Sequence, residues 1–219
     1  MFFQRFLRMK EILLLLNNKI KKIENKVNKK VCVVGVSPNV GVTHLCISLA
    51  NFMHSVLGKN VIYIELSNES QLLSVVGMKQ ILIGDILAYE YKGVRYVLSN
   101  DIDAIRNIML RENAWFVVDM ASLNEETRPI FNNCNNRIII GSLRPWCQRE
   151  YYEFIDKLGL LEYDMDQMTY IKTDTNKKTN IIASGLANYT KSTIKDLPII
   201  NDPFSLKEEN FQELMDLIR

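Results

Sequence analysis

The sequence predicts an α/β fold: a doubly wound, mostly parallel sheet with helices on both faces, preceded by a long N-terminal amphipathic helix. Three observations lead there. Short apolar runs such as VCVVGV, NVIYIEL, AWFVVDM and NRIIIGSL recur between helical segments, as expected of parallel strands buried on both faces. The first run ends at Gly35, and a short loop, SPNVG, leads directly into a helical segment, the outline of a phosphate-binding turn. The chain has 219 residues, 47% of them hydrophobic and 24% charged, which suits one globular domain with a sizeable core.

The elements follow in order. Residues 1–30, MFFQRFLRMKEILLLLNNKIKKIENKVNKK, read as one basic helix: Phe2, Phe6, Met9, Leu13, Leu16, Ile20, Ile23 and Val27 recur at alternating spacings of four and three. The apolar stretch Ile12 to Leu16 is far short of the ~20 residues that cross a bilayer, and no small-residue cleavage site follows it. Residues 31–219 form the α/β domain. VCVVGV is a strand, THLCISLANFMHSVLG a helix with Gly58 at its C-terminal cap, and NVIYIEL a second buried strand. SQLLSVVGMKQILIGDILAYEY is expected to be one or two helices broken near Gly77, and GVRYVLS an edge strand or hairpin arm. DIDAIRNIMLREN is a helix capped by Asp101 or Asp103. AWFVVDM and NRIIIGSL are buried strands with a polar helical segment between them. PWCQREYYEFIDKLGLL is a helix, QMTYIKT a strand and LPIINDP a last short strand ending at Pro203. SLKEENFQELMDLIR closes the chain as an amphipathic helix capped at Ser205, with Glu208 three residues on.

Charge and cysteine use narrow the function classes. Residues 1–30 hold nine Lys/Arg against two Asp/Glu, whereas the remainder holds 18 against 23. The α/β body is therefore acidic overall, and nucleic acid is not an expected partner. Cys32, Cys46, Cys134 and Cys147 form no C-x-x-C pair, and the absence of a signal peptide points to a reducing, cytoplasmic setting. His44 and His54 have no cysteine or carboxylate cluster nearby that would make them metal ligands.

The segment SPNVGVTHLCISLANFM resembles the phosphate loop and following helix of the ParA/MinD group of P-loop ATPases, in the SIMIBI class, whose loop reads K-G-G-x-G-K-[ST]. IYIELSN falls where that family carries an Asp-x-Asp-type motif. WFVVDMAS matches its strand ending in a metal-watching Asp, RIIIGSLRP the strand after it, and LPIINDP its loop near the base. The resemblance covers residues 31–219. It implies ATP or ADP with Mg2+, held around Gly35, Ser37, Asn39, Val40, Gly41, Val42, Thr43, His44, Glu65 and Asp119, with the base near Thr173, Asp174 and Asn201. Thr43 and Asp119 would face the metal.

The departures fall on the chemistry. The two lysines of the family loop correspond to Ser37 and Val42, and its two glycines to Pro38 and Asn39. Pro38 has no N–H to donate to phosphate. Glu65 takes the first acidic position after the second strand and Ser67 the second. Phosphoryl transfer depends on positioned positive charge, and each charge-assisted contact is worth roughly 1.5–3 kcal/mol. Plain alternatives stand beside each residue: a tight strand-to-helix turn for the loop, an N-cap for Thr43, a cap of the following segment for Asp119, and core or rim anchors for Trp115 and Trp146.

Three functions are therefore in competition. The first is a ParA/MinD-like pseudo-ATPase serving as a positioning or assembly scaffold, with a distant likeness to the TadZ/CpaE pilus-localisation proteins. The second is an active ATPase with an unusual loop, although Lys29, Lys30 and Lys59 sit too far off to substitute. The third is an adaptor working through its N-terminal helix. That helix can pair with a partner helix or a second copy, Lys19 meeting Glu24 across the seam while Arg5 faces Lys10. It can also reach an anionic membrane through residues 1–16, each basic residue adding ~1 kcal/mol, or fold back on the body. RPWCQREYY, aromatic and basic, is a candidate partner site.

Overall fold

A computed structural model describes residues 28–67, 70–174 and 177–218. The N-terminal helix expected over residues 1–30 therefore falls, up to Val27, outside the described residues.

The sheet has nine strands: β1 (Lys30–Gly35), β2 (Val61–Glu65), β3 (Gln80–Ile83), β4 (Ile86–Tyr91), β5 (Val94–Leu98), β6 (Trp115–Met120), β7 (Asn136–Gly141), β8 (Met168–Lys172) and β9 (Ile194–Asp196). Their order is β3-β4-β5-β2-β6-β1-β7-β8-β9. All neighbours from β5 to β9 run parallel, and β3-β4-β5 form an antiparallel meander at one edge. The helices are α1 (Val42–Ser55), α2 (Leu73–Val76), α3 (Ile102–Arg111), α4 (Arg128–Asn133), α5 (Gln148–Leu160), α6 (Lys177–Thr190) and α7 (Phe211–Leu217).

The continuous apolar strands are explained by two-sided burial. Val31 and Val33 of β1 face one core with Leu45, Leu49 and Phe52 of α1 and Leu214 of α7. Cys32 and Val34 face the other, with Ile105 of α3, Phe131 of α4, Ile155 of α5 and Leu186 of α6. Side chains alternate across a strand, so each central strand feeds both layers.

Three expectations are corrected, and one is decided between its two alternatives. The segment after Gly77 is not helical: it forms β3 and β4. Gly84 (φ 57) turns the first hairpin, and Lys92 (φ 48) with Gly93 (φ 81) turns the second, the double positive φ of a two-residue hairpin loop. β5 is a hairpin arm but not an edge, because it also pairs with β2. The last strand is β9, just ahead of LPIINDP rather than within it; its residues Ile194 to Asp196 extend the sheet by pairing with β8. Ser205 does not cap the final helix, whose first turn is a 3-10 segment at Glu208–Asn210. Asp101, by contrast, caps α3 through the Ala104 N–H at 2.9 Å. Helix α6 occupies residues to which sequence reading assigned no element.

Candidate functional site

β1 sits between β6 and β7, and the chain leaves it on one side towards β2 and later on the other towards β8. Loops diverge at such a switch point and leave a crevice at the carboxyl ends of the strands. The turn from Gly35 to Thr43 occupies it. Asn39 (φ 60) and Gly41 (φ 97) take left-handed conformations, and Gly41 is the N-cap of α1. Thr43 is consequently inside the helix and does not cap it.

The interior of this turn is apolar. A Cβ on Gly35 would stand 3.0 Å from Val42 Cγ2 and 3.1 Å from Val40 Cγ2, so both valines pack on the glycine backbone. Leu197 closes against Gly41 from the far side, and Val40, Val42 and Leu197 join the core cluster beneath α1. The turn itself, residues 36–43, contains no lysine or arginine. Lys30 Nζ instead donates to Asn133 Oδ1 at 2.9 Å, Lys29 to the Ile218 carbonyl, and Lys59 lies over the Trp115 ring.

A carboxylate group flanks one side. The parallel register of β2 and β6 puts Glu65 beside Asp119. Asp119 is 4% exposed and accepts the Tyr63 hydroxyl at 2.8 Å. Burial pushes its pKa up, and hydrogen bonds from Thr43 and Tyr63 offset part of that. Glu65 is raised as well, first by burial and further by Asp119, against a hydrogen bond from Ser70. Asp119 thus lies within its strand and is not a cap. Hydroxyl and carboxylate oxygens of this kind suit Mg2+, but among the described residues no group of three or more His, Cys, Asp or Glu converges to hold a metal.

A cavity of ≈ 410 Å3 opens on the other side of the turn. Ser37, Asn39, Val40 and Gly41 line it together with Thr173 and Asp174, which sequence reading placed near a base. Thr43, Glu65 and Asp119 do not line it, nor do Gly35, Val42, His44 and Asn201. His44 turns to the Ile200 carbonyl at 2.8 Å, tying α1 to the loop that contains the exposed Asn201. Pro38, Ser142, Arg144, Trp146, Cys147 and Leu197 complete the wall and were missed as ligand residues. Four of them lie in SLRPWC just after β7, where the sequence reading gives a strand end, the candidate partner site RPWCQREYY and a core or rim anchor at Trp146. Trp146 is 74% exposed and so is no core anchor, unlike Trp115 at 8%.

No protein-family model and no curated protein matches the sequence. Solved structures match in fold. The MinD cell division protein of Aquifex aeolicus aligns with a TM-score of 0.65 and 13% identity over 87% of this chain and 95% of its own. A plasmid partition protein of Borrelia burgdorferi bound to AMPPNP aligns at 0.66 and 12%, over 88% and 97%. A ParA family ATPase of Chlorobium tepidum aligns at 0.62 and 12%, over 88% and 91%. The chain has the MinD/ParA fold. At these identities the likeness is one of architecture. Within this architecture, Val40 and Val42 pack on Gly35 in the turn after β1.

Proposed function

We propose that the protein is a ParA/MinD-like pseudo-ATPase: a weak nucleotide binder that does not hydrolyse ATP and works as a positioning or assembly scaffold. The observation that carries this reading is the packing of Val40 and Val42 onto Gly35. A lysine at position 42 would bring positive charge to the phosphates; the valine there is spent on the core. Pro38 removes an amide donor from the same turn. The residues fit Mg2+ at Thr43, Asp119 and Glu65 in chemical type, but they do not fit a triphosphate, whose charge finds no cation in the turn. No hydrolytic step is therefore derived.

The Borrelia protein of this fold was solved with AMPPNP, and Aquifex MinD in complex with MinC. By analogy we assign weak nucleotide binding to the crevice and the functional output to a protein partner or a second copy. Residues 1–27 are assigned to partner or membrane docking. Among the described residues no helix is long and apolar enough to cross a membrane.

The test is phosphate release from Mg2+-ATP, with and without lipid or DNA. The expected result is no turnover above background. Turnover at the rate of lysine-bearing proteins of this fold, abolished by Asp119→Ala, would favour the active-ATPase alternative.

A further inference from the structure

The cavity beside the turn contains one guanidinium, and its geometry is specific. Arg144 Nε donates to Asp174 Oδ1 at 2.6 Å. Asp174 is 5% exposed, and its other oxygen accepts Ser142 Oγ at 2.7 Å and the Leu143 N–H at 2.9 Å. The carboxylate is thereby held in place by three hydrogen bonds, and it grips Arg144 by the Nε edge alone. Among the described residues neither terminal nitrogen of Arg144 donates a hydrogen bond to protein. A guanidinium held this way presents its two terminal NH2 groups as a fork for an oxyanion. The Trp146 ring lies 5.9 Å from the Arg144 guanidinium and shares the cavity wall with it.

Charge sets the size of the anion. Among the described residues lining the cavity Arg144 and Asp174 are the ionic ones, and they cancel. Lys172, just behind, donates to the Asp196 carboxylate and the Asp174 carbonyl. A single phosphate monoester carries about −1.5 to −2 charge and can use the fork. Each further phosphate adds charge that none of the described wall residues offsets. The volume of ≈ 410 Å3 sits in the range of roughly 300–1,000 Å3 typical of small-molecule sites.

We propose that this cavity binds a nucleoside monophosphate, its phosphate on the free edge of Arg144 and its ring against Trp146, and discriminates against the triphosphate. The proposal deepens the weak-nucleotide reading above by naming ligand class and the residue that supplies the charge. Asp174 acts as a positioning residue.

The experiment is calorimetric titration of the full chain, without Mg2+, with AMP, ATP and inorganic phosphate. AMP is expected to bind at least as tightly as ATP and more than tenfold tighter than phosphate. Arg144→Ala should weaken AMP about tenfold or more, the loss expected when a charge-assisted contact goes. Arg144→Lys should recover only part of it, and Trp146→Ala should weaken AMP while leaving phosphate unchanged. Failure of all three probes to bind the wild-type chain, unchanged AMP affinity in Arg144→Ala, phosphate binding as tight as AMP, or ATP binding tenfold tighter than AMP would each overturn the proposal. ATP turnover would sink the non-hydrolysing reading without altering these affinities, which are measured without metal.

Discussion

The Tyr63 hydroxyl donates to Asp119 Oδ2 at 2.8 Å inside the sheet, beneath the turn that follows β1. The pair joins neighbouring strands, since Tyr63 on β2 sits opposite Val117, two residues before Asp119 on β6. Burial raises the Tyr63 pKa, and the Asp119 charge raises it further, so the hydroxyl stays protonated and donates. Tyr63→Phe keeps the ring that packs on Tyr96 at 5.1 Å and removes only the donor. The expected cost is roughly 1.5–3 kcal/mol, the range for a hydrogen bond to a charged group. Urea denaturation of the variant measures it. A change within about 0.5 kcal/mol, the scatter of neutral surface substitutions, would mean the carboxylate finds other partners.

Asp174 gives a pH signature. Burial alone would raise its pKa, but hydrogen bonds from Ser142, the Leu143 amide and Arg144 outweigh it and hold the carboxyl below its ordinary value of 3.8. A depressed carboxylate stabilises the fold above the unfolded-state pKa and loses that contribution as pH falls through the folded value. Asp174→Asn should therefore cost roughly 1–3 kcal/mol at pH 7. The gap from wild type should stay level down to the region of 3.8 and close below it. A gap that instead widens with falling pH would contradict the network.

Much of the architecture was legible in the sequence because the central strands are apolar on both faces. Runs such as VCVVGV and WFVVDM have few other places to go. The β3–β4 hairpin was not legible: ILIGDILAYEY lies at the sheet edge, one face is only partly covered, and its apolar spacing also fits a helix. Leu82 at 72% exposure and Leu87 at 47% show how incomplete that cover is. The turn after β1 announced itself by Gly35 and Gly41. The resemblance of WFVVDMAS to the family's metal-facing strand also singled out Asp119, but not its contacts with Tyr63 and Thr43, which depend on strand register. Arg144 was visible as a basic residue after a strand. Its role could not be read, because the Nε-edge contact to Asp174 comes from residues thirty apart in the chain.

Restoring the missing cation should change binding before it changes chemistry. Val42→Lys is expected to raise ADP affinity about tenfold, the scale of one charge-assisted contact. It should also cost about 1 kcal/mol of stability, because Val42 is partly buried against the core beneath α1. Hydrolysis is not expected to return, since Pro38 still lacks its amide. Fluorescence titration with a labelled ADP reads the first effect, and unchanged affinity would show that the site cannot use charge at position 42.

Removing residues 1–27 should leave the α/β body folded. The body holds its own entry point: the Phe116 N–H donates to the Lys29 carbonyl at 2.8 Å, and Asn28 Nδ2 donates to the Glu112 carbonyl at 3.3 Å. The truncated chain is expected to stay monomeric in sedimentation and to lose binding to anionic liposomes or to its partner helix. If it unfolds or aggregates, the N-terminal segment belongs to the core, and the docking role assigned to it fails.

The most direct measurement is a single-turnover experiment with the full chain in large excess over radiolabelled ATP and with Mg2+ present. Excess protein drives even a weak binder to occupancy, so poor affinity cannot mask chemistry. With Val40 and Val42 packed on Gly35 and no lysine in the turn, the labelled γ-phosphate should remain on the nucleotide at the rate of the protein-free control. Release well above that control, lost in Asp119→Ala, would contradict the account and make this an ATPase with a different source of charge.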